Sequence, residues 1–257
     1  MSEQLLEVKG VCKDFGGLKA IDDLDFHIRE GEIFSIIGPN GSGKTTLFNV
    51  ISGFYPATRG KVIFKGEDIT NLKPFTIAQK GIARTFQLTA VFIRDTVLDN
   101  LMIGHRLRIR AGLLGTIFGS HRTREEERRC REKAEEILGF IELTPQKNKI
   151  AGNLTQEAQK RLCIGMALAT DPKLLLLDEP TGGVNFKEIR SLVSLIEKIK
   201  EKKITICLIE HKMKVAMDIP DRVMVLNYGR KITEGLPRQV SQDQRVIEAY
   251  LGKSYAA

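Results

Sequence analysis

Gly38-Pro39-Asn40-Gly41-Ser42-Gly43-Lys44-Thr45, followed by Thr46, fits G-x-x-x-x-G-K-[ST] at every fixed position. Glycines there let successive backbone N–H groups turn inward around a phosphate without a side-chain clash. Lys44 would reach the β- and γ-phosphates of a nucleotide, and the Thr45 hydroxyl would ligate Mg2+. A helix starting at Lys44 points its positive end at the same anion. Chance alone produces such a match in about one chain in a hundred of this length. Its setting, after an apolar strand and at the start of a helix, argues for a true nucleotide site. A second cluster, Asp178-Glu179, ends the run Leu174 to Leu177. A buried strand that ends in Asp places charge at the carboxyl edge of a sheet, where ligands of α/β proteins bind. Asp178 would hold the Mg2+ shell, and Glu179 would polarise an attacking water as general base. The competing explanation is a core strand with a solvated acidic cap; a phosphate loop in the same chain favours catalysis. Gln87 and His211 take no role from spacing alone. His211 does follow the apolar strand Ile204 to Leu208, where its ring can donate a hydrogen bond toward a γ-phosphate.

Strands and helices must hold these groups in place. Leu5 to Phe15 and Ala20 to Ile28 read as two strands joined at Gly16-Gly17, and Glu32 to Ile37 as an apolar strand entering the glycine-rich loop. Lys44 to Ser52 is helical, and short strands follow near Lys61 to Phe64. From Leu88 to about Gly152 the periodicity turns helical and a basic cluster runs from His105 to Arg131. Thr123 with Glu126 fits a capping box opening a helix to Leu138. Then Leu174 to Leu177, Lys187 to Lys200 and Ile204 to Ile209 alternate strand, helix, strand, which argues for a largely parallel, covered sheet. The expected organisation is one α/β domain over 1–257 with a helical lobe inserted at about 88–152.

The chain has 257 residues, with Lys plus Arg at 40 against 32 for Asp plus Glu, a net charge of +8. Such a surface suits nucleic acid, an anionic membrane face or a phosphorylated ligand, and charge alone does not choose. No apolar run approaches the ~20 residues of a membrane span. Met1 to Gln4 lacks a basic region followed by an apolar stretch, so no signal peptide is expected. Cys12, Cys130, Cys163 and Cys207 have no metal spacing and read as reduced thiols of a cytosolic protein. In the basic stretch, His105, Arg106, Arg108 and Arg110 precede the apolar run Leu113 to Phe118, and Arg122 and Arg124 follow it. This fits a patch facing a membrane protein or anionic headgroups, or a solvated charged face. Interleaved aromatics of the kind that line nucleic-acid channels are missing there, and no nucleic-acid partner is expected.

Taken in order, Phe15, Gly38 to Thr46, Gln87, Leu154 onward, Leu174 to Glu179, Asn185 and His211 resemble the ABC transporter ATPase family over essentially the whole chain. They match its aromatic loop, Walker A, Q-loop, signature, Walker B, D-loop and switch histidine. The resemblance is strongest to the ATP-binding subunits of branched-chain amino acid importers. It is carried by Gly81-Ile82-Ala83-Arg84-Thr85-Phe86-Gln87, the basic insertion after Asn100, Ala169 to Lys173 and Val246 to Gly252. Urea and amide importers share these features. The resemblance implies a P-loop NTPase core with a mostly parallel sheet, an antiparallel N-terminal β-subdomain and an inserted helical subdomain. It implies ATP and Mg2+ as cofactors, Phe15 stacked on adenine, Gln87 sensing Mg2+, and His211 on the γ-phosphate, with Gln87, Glu179 and His211 as the catalytic set. Two ATPase subunits would close head to tail over two ATP molecules. They would drive two integral membrane permeases from the cytoplasmic face of the membrane, with an extracytoplasmic solute-binding protein. Alternatives are the ATPase of a urea, amide or lipid transporter, or a non-transport ABC protein. The latter usually carry two such domains or a long coiled coil, and neither is present.

The chain departs from the family at the signature, L-S-G-G-Q. Here it reads Leu154-Thr155-Gln156-Glu157-Ala158. Glu157 replaces a glycine and Ala158 the usual glutamine. A carboxylate ~5 Å from a phosphate oxygen costs about 3 kcal/mol at an effective dielectric near 20. Pairing of Glu157 with Lys160 or Arg161, or a turn out to solvent, would relieve that cost. Activity of the isolated chain is therefore expected to be weak, and a heterodimer with an intact-signature partner is favoured. Asn185 stands where many relatives carry Asp.

Overall fold

A computed structural model describes residues 3–85, 90–106 and 121–251. The strands are β1 (Gln4–Phe15), β2 (Leu18–Arg29), β3 (Ile33–Ile37), β4 (Arg59–Phe64), β5 (Glu67–Asp68), β6 (Ile82–Arg84), β7 (Leu174–Asp178), β8 (Thr205–Ile209), β9 (Arg222–Asn227) and β10 (Arg230–Gly235). The helices are α1 (Lys44–Ile51), α2 (Pro74–Lys80), α3 (Val97–Arg106), α4 (His121–Phe140), α5 (Gln156–Leu168), α6 (Phe186–Glu201), α7 (Met213–Asp218), α8 (Pro237–Val240) and α9 (Gln244–Leu251). The fold is α/β, and the chain separates into two compact units.

The first unit comprises Met1–Arg84, Lys173–Pro180 and Ile196–Ala257. It holds an antiparallel sheet in the order β2-β1-β4-β5 and a six-stranded sheet in the order β10-β9-β3-β8-β7-β6. β3, β6, β7, β8 and β9 run parallel, and β10 is the antiparallel edge. Every residue of β3, β7 and β8 is buried. Strands covered on both faces lose the alternation of polar and apolar residues, which is why they read as unbroken apolar runs. Phe34, Phe48 and Phe64 are among the largest wholly buried side chains. Each contributes about 1.5–3 kcal/mol by leaving water, enough to seat α1 firmly on the sheet. A smaller cluster joins Ile37, the last residue of β3, to Val223, Val225, Val240 and Val246.

The second unit comprises Thr85–Pro172 and Thr181–Leu195. α3 packs on α4 and α5, with Leu101, Ile137 and Ile141 closing on Gly165, where an added Cβ would lie 2.7 Å from the Ile141 side chain. Thr123 does not start α4. The backbone is already helical at His121, so the Thr123 and Glu126 spacing falls inside the helix. From Arg124 onward the sequence is dense in Arg, Glu and Lys, which favour helix, and the helix they support runs back through Thr123, so the capping pattern loses. Gln87, Arg108, Arg110 and Leu113 to Phe118 lie outside the described residues.

Candidate nucleotide site

The phosphate loop runs from the end of β3 into α1. Gly38 has φ +155° and Gly43 φ +106°, and at both positions backbone crowds the place a Cβ would take. At Gly38 it would lie 2.0 Å from the Leu226 carbonyl oxygen, and at Gly43 2.5 Å from that of Ala20. Those two glycines are therefore demanded by the packing of the loop as well as by phosphate. The β9–β10 turn braces the loop: the Gly229 N–H donates to the Ser42 carbonyl at 2.9 Å. From α9, the Tyr250 phenol lies near the Gly38 backbone; burial pushes its pKa up and the Gly38 backbone opposes the rise. Pro39, Asn40, Gly41 and Ser42 form the turn between the two fixed glycines.

Lys44 is buried and folds back across the loop. Its Nζ donates to the carbonyls of Gly38 at 2.8 Å and Pro39 at 2.9 Å, and to Ser42 Oγ at 3.4 Å. Burial pushes its pKa down, while the carboxylates of Glu179 and Asp178 oppose that shift. The ammonium is thus partly dehydrated and held by neutral carbonyls. Thr45 is exposed and Thr46 half-buried at the start of α1. The first N–H groups of α1 lack intrahelical acceptors, which together with the helix dipole makes this end receptive to an anion.

The strand order brings the second cluster to the same sheet edge. β8 lies between β3 and β7, and Ile36, Ile209 and Asp178 stand level across the three strands. At ~4.8 Å per strand, the end of β7 lies about 10 Å from the loop-bearing end of β3. Asp178 is wholly buried; burial pushes its pKa up, and the hydrogen bond and charge of Arg84 oppose this. Arg84 Nη2 donates to Asp178 Oδ2 at 2.9 Å. A buried carboxylate at one strand end and an exposed threonine hydroxyl at the same sheet edge are oxygen ligands of the kind a hard cation takes. Glu179 adopts φ +48° and its N–H donates to the Ile209 carbonyl at 2.9 Å. That bond pins Glu179 to the strand whose extension carries His211, and His211 Nε2 lies 2.8 Å from Glu179 Oε1. The buried carboxylate of Glu210 accepts the His211 N–H at 3.1 Å and fixes the turn between them.

Phe15 is exposed at the end of β1, with Tyr55 edge-on at 5.3 Å between centroids and Lys13 Nζ 4.7 Å above its ring. Tyr55, Lys13, Arg84 and Tyr250 escape sequence reading. Only Arg84 leaves a trace, a charged residue closing an otherwise apolar strand.

The signature residues belong to the second unit. Leu154 is buried, and Thr155 caps α5, its Oγ1 accepting from the Ala158 N–H at 3.3 Å. Gln156 opens the helix and its side chain fills the space above Gly183, where a Cβ would lie 2.5 Å from Gln156 Nε2. Glu157 turns neither to solvent nor to Lys160. It pairs with Arg161 and accepts from Ser191 Oγ at 2.5 Å. Arg161 also reaches Glu142 and the Ile141 carbonyl, each at 3.0 Å. Of the reliefs the sequence offers, pairing with Arg161 is the one the fold adopts, and this buried cation lowers the repulsion expected from Glu157. Asn185 Oδ1 accepts from the N–H groups of Lys187 and Glu188, both at 3.1 Å, so it caps α6 as an Asp would.

The sequence profile of the ABC transporter family matches residues 21–182, and that of the branched-chain amino acid ATP-binding cassette transporter matches 230–256. The chain is 40% identical over 255 residues to the high-affinity branched-chain amino acid transport ATP-binding protein BraF of Pseudomonas aeruginosa, covering 99% of this chain and 100% of the relative. It is 38% identical to LivG of Escherichia coli, a protein of the same description, with the same coverage. A crystal structure of a nucleotide-free ATP-binding cassette from an ABC transporter superimposes with a TM-score of 0.86 at 36% identity, covering 97% of this chain and 100% of that one. An ADP-bound cassette gives the same TM-score and identity over 98% of this chain and 100% of that one.

Proposed function

This chain belongs to the ABC transporter family as one of its nucleotide-binding, ATP-hydrolysing subunits, and on that premise we propose that it powers import of branched-chain or related amino acids through separate membrane permeases. The observation that carries the hydrolytic part is the 2.8 Å contact between Glu179 and His211 at the sheet edge that bears the phosphate loop. The relatives whose names print branched-chain amino acid transport support the solute class.

Gly38 to Thr46 wrap the phosphates of ATP, and Lys44 exchanges its carbonyl partners for the β- and γ-phosphate oxygens. Phe15 stacks on adenine once Lys13 leaves its face. Thr45, Asp178 and Gln87 hold Mg2+, which when bound neutralises charge on the β- and γ-phosphates. Glu179 takes the proton of the water that attacks the γ-phosphorus; the bond to the β–γ bridging oxygen breaks, releasing ADP and phosphate. His211, held by Glu179 before ATP arrives, donates to a γ-phosphate oxygen.

A second ABC ATPase subunit closes head to tail on this one, and a heterodimer is favoured. The complete loop and Asp178-Glu179 pair of this chain meet the partner's signature, while Glu157 and Ala158 make the reciprocal site a poor hydrolase. The helical lobe expected at about 88–152, which falls within the second unit, would meet two integral membrane permeases, with a solute-binding protein on the far side. Among the described residues no helix is long and apolar enough to cross a membrane, consistent with a peripheral subunit on the cytoplasmic face. Lys44→Ala is expected to lower hydrolysis at least about a hundredfold by removing the main phosphate cation. A purified, folded variant that hydrolyses ATP at the wild-type rate would refute this assignment.

A further inference from the structure

We propose that Arg84 is a positioning residue that sets the Asp178 carboxylate for the divalent cation of bound nucleotide and ties that carboxylate to the helix leaving the phosphate loop. The proposal rests on Asp178 as a metal ligand, argued above. Arg84 closes β6, which pairs in parallel with β7, so its side chain reaches along the sheet to the end of β7. Both side chains are almost wholly out of water, Arg84 at 5% and Asp178 at 1% exposure. One arm of the guanidinium, Nη2, donates to Asp178 Oδ2 at 2.9 Å. The other, Nη1, donates to Asn49 Oδ1 at 2.6 Å and Ser52 Oγ at 3.1 Å. Its Cζ sits 5.5 Å from the centroid of the buried Phe48 ring.

Asn49 and Ser52 lie three residues apart at the end of α1, on one face of the helix. The same helix begins with Lys44 and Thr45, roughly 6–12 Å away along its axis. α1 therefore acts as a short rigid bar, with phosphate and metal ligands at its start and the Arg84 fork at its end. The fork is planar and its donor angles are fixed, so it holds a carboxylate in one orientation while anchored to α1; a lysine ammonium is a point charge that cannot do both. Hydrogen-bond partners of metal-ligating carboxylates tune metal affinity by about 10–100-fold. An arginine present only to balance buried charge would support folding yet leave the Mg2+ dependence of nucleotide binding untouched.

The test is titration of a fluorescent ATP analogue into the purified full chain, once with Mg2+ and once with EDTA, alongside melting curves without nucleotide. Arg84→Lys is expected to cut the ratio of Mg2+ to EDTA affinity about tenfold while leaving the EDTA affinity within about twofold. Asn49→Ala keeps the Arg84–Asp178 contact, leaves Nη1 only its longer bond to Ser52 Oγ, and is expected to lower the ratio by a smaller factor. The proposal is overturned when both variants keep the wild-type ratio, or when Arg84→Lys loses EDTA affinity as fully as Mg2+ affinity. Should Arg84→Lys fail to fold, an unchanged ratio in Asn49→Ala overturns it and a lowered one supports it. A wild-type chain whose nucleotide affinity ignores Mg2+ removes the reading of Asp178 as a metal ligand, a separate failure.

Discussion

Glu179 occupies a left-handed backbone conformation, φ +48°, that costs an ordinary residue about 1–3 kcal/mol. The β7–β8 pairing sustains it, through the Glu179 N–H on the Ile209 carbonyl. The strain turns the carboxylate off the strand line and toward His211. Glu179→Gln keeps the shape and hydrogen-bonding reach of the side chain but cannot take a proton. It is expected to bind ATP normally, to lower turnover by about 10²–10⁴-fold, and to collect as an ATP-loaded dimer in gel filtration. A variant that stays monomeric and hydrolyses at the wild-type rate sinks Glu179 as base. At this scale much of the site was legible in the sequence, because Lys44, Asp178 and Glu179 sit in contiguous motifs whose spacing is itself the chemistry. Arg84 was not: its partners lie 35 and 94 residues away, and only strand register brings them together. Tyr250 was hidden for the same reason, since it comes to Gly38 from α9 at the other end of the chain.

Elements were legible where one pattern dominated. β3, β7 and β8 showed as apolar runs, and Gly38 and Gly43 marked a loop that tolerates no Cβ. The start of α4 is misplaced from sequence because a local capping pattern competes with the strong helix formers that follow Thr123. α5 holds the more instructive case. From sequence, Glu157 reads either as a bare charge facing a phosphate or as a partner of Lys160 or Arg161, and Ser191 stays hidden because it lies on a different helix. In the fold Glu157 is bound to Arg161 and Ser191, and Arg161 is bound in turn to Glu142 and the end of α4. With a cation alongside, the ~3 kcal/mol repulsion shrinks to about 1 kcal/mol, a several-fold effect on closure. Restoring Gly at 157 and Gln at 158 is then expected to raise ATPase of the isolated chain by about five- to tenfold. A melting curve shows whether the α5 anchor survives through Glu142. Equal hydrolysis by restored and native proteins of equal stability makes the signature departure harmless and removes the case for an asymmetric dimer.

At the scale of the whole molecule, this member of the ABC transporter family carries a net charge of +8 and has, among its described residues, no helix long and apolar enough to cross a membrane. Its phosphate loop and the Asp178-Glu179 pair lie within the first unit, whereas Thr155 caps a helix of the second. The basic stretch after Asn100 was legible only as composition, and its central residues lie outside the described structure. Coupling is therefore the decisive property. The most direct measurement is uptake of a labelled mixture of leucine, isoleucine and valine into lipid vesicles holding the permeases, the partner ATPase and the solute-binding protein, with ATP hydrolysis followed in the same sample. Wild-type chain is predicted to give uptake and hydrolysis together, and Lys44→Ala to abolish both. Hydrolysis with no uptake of any of the three amino acids, or uptake that persists with Lys44→Ala, would contradict the account.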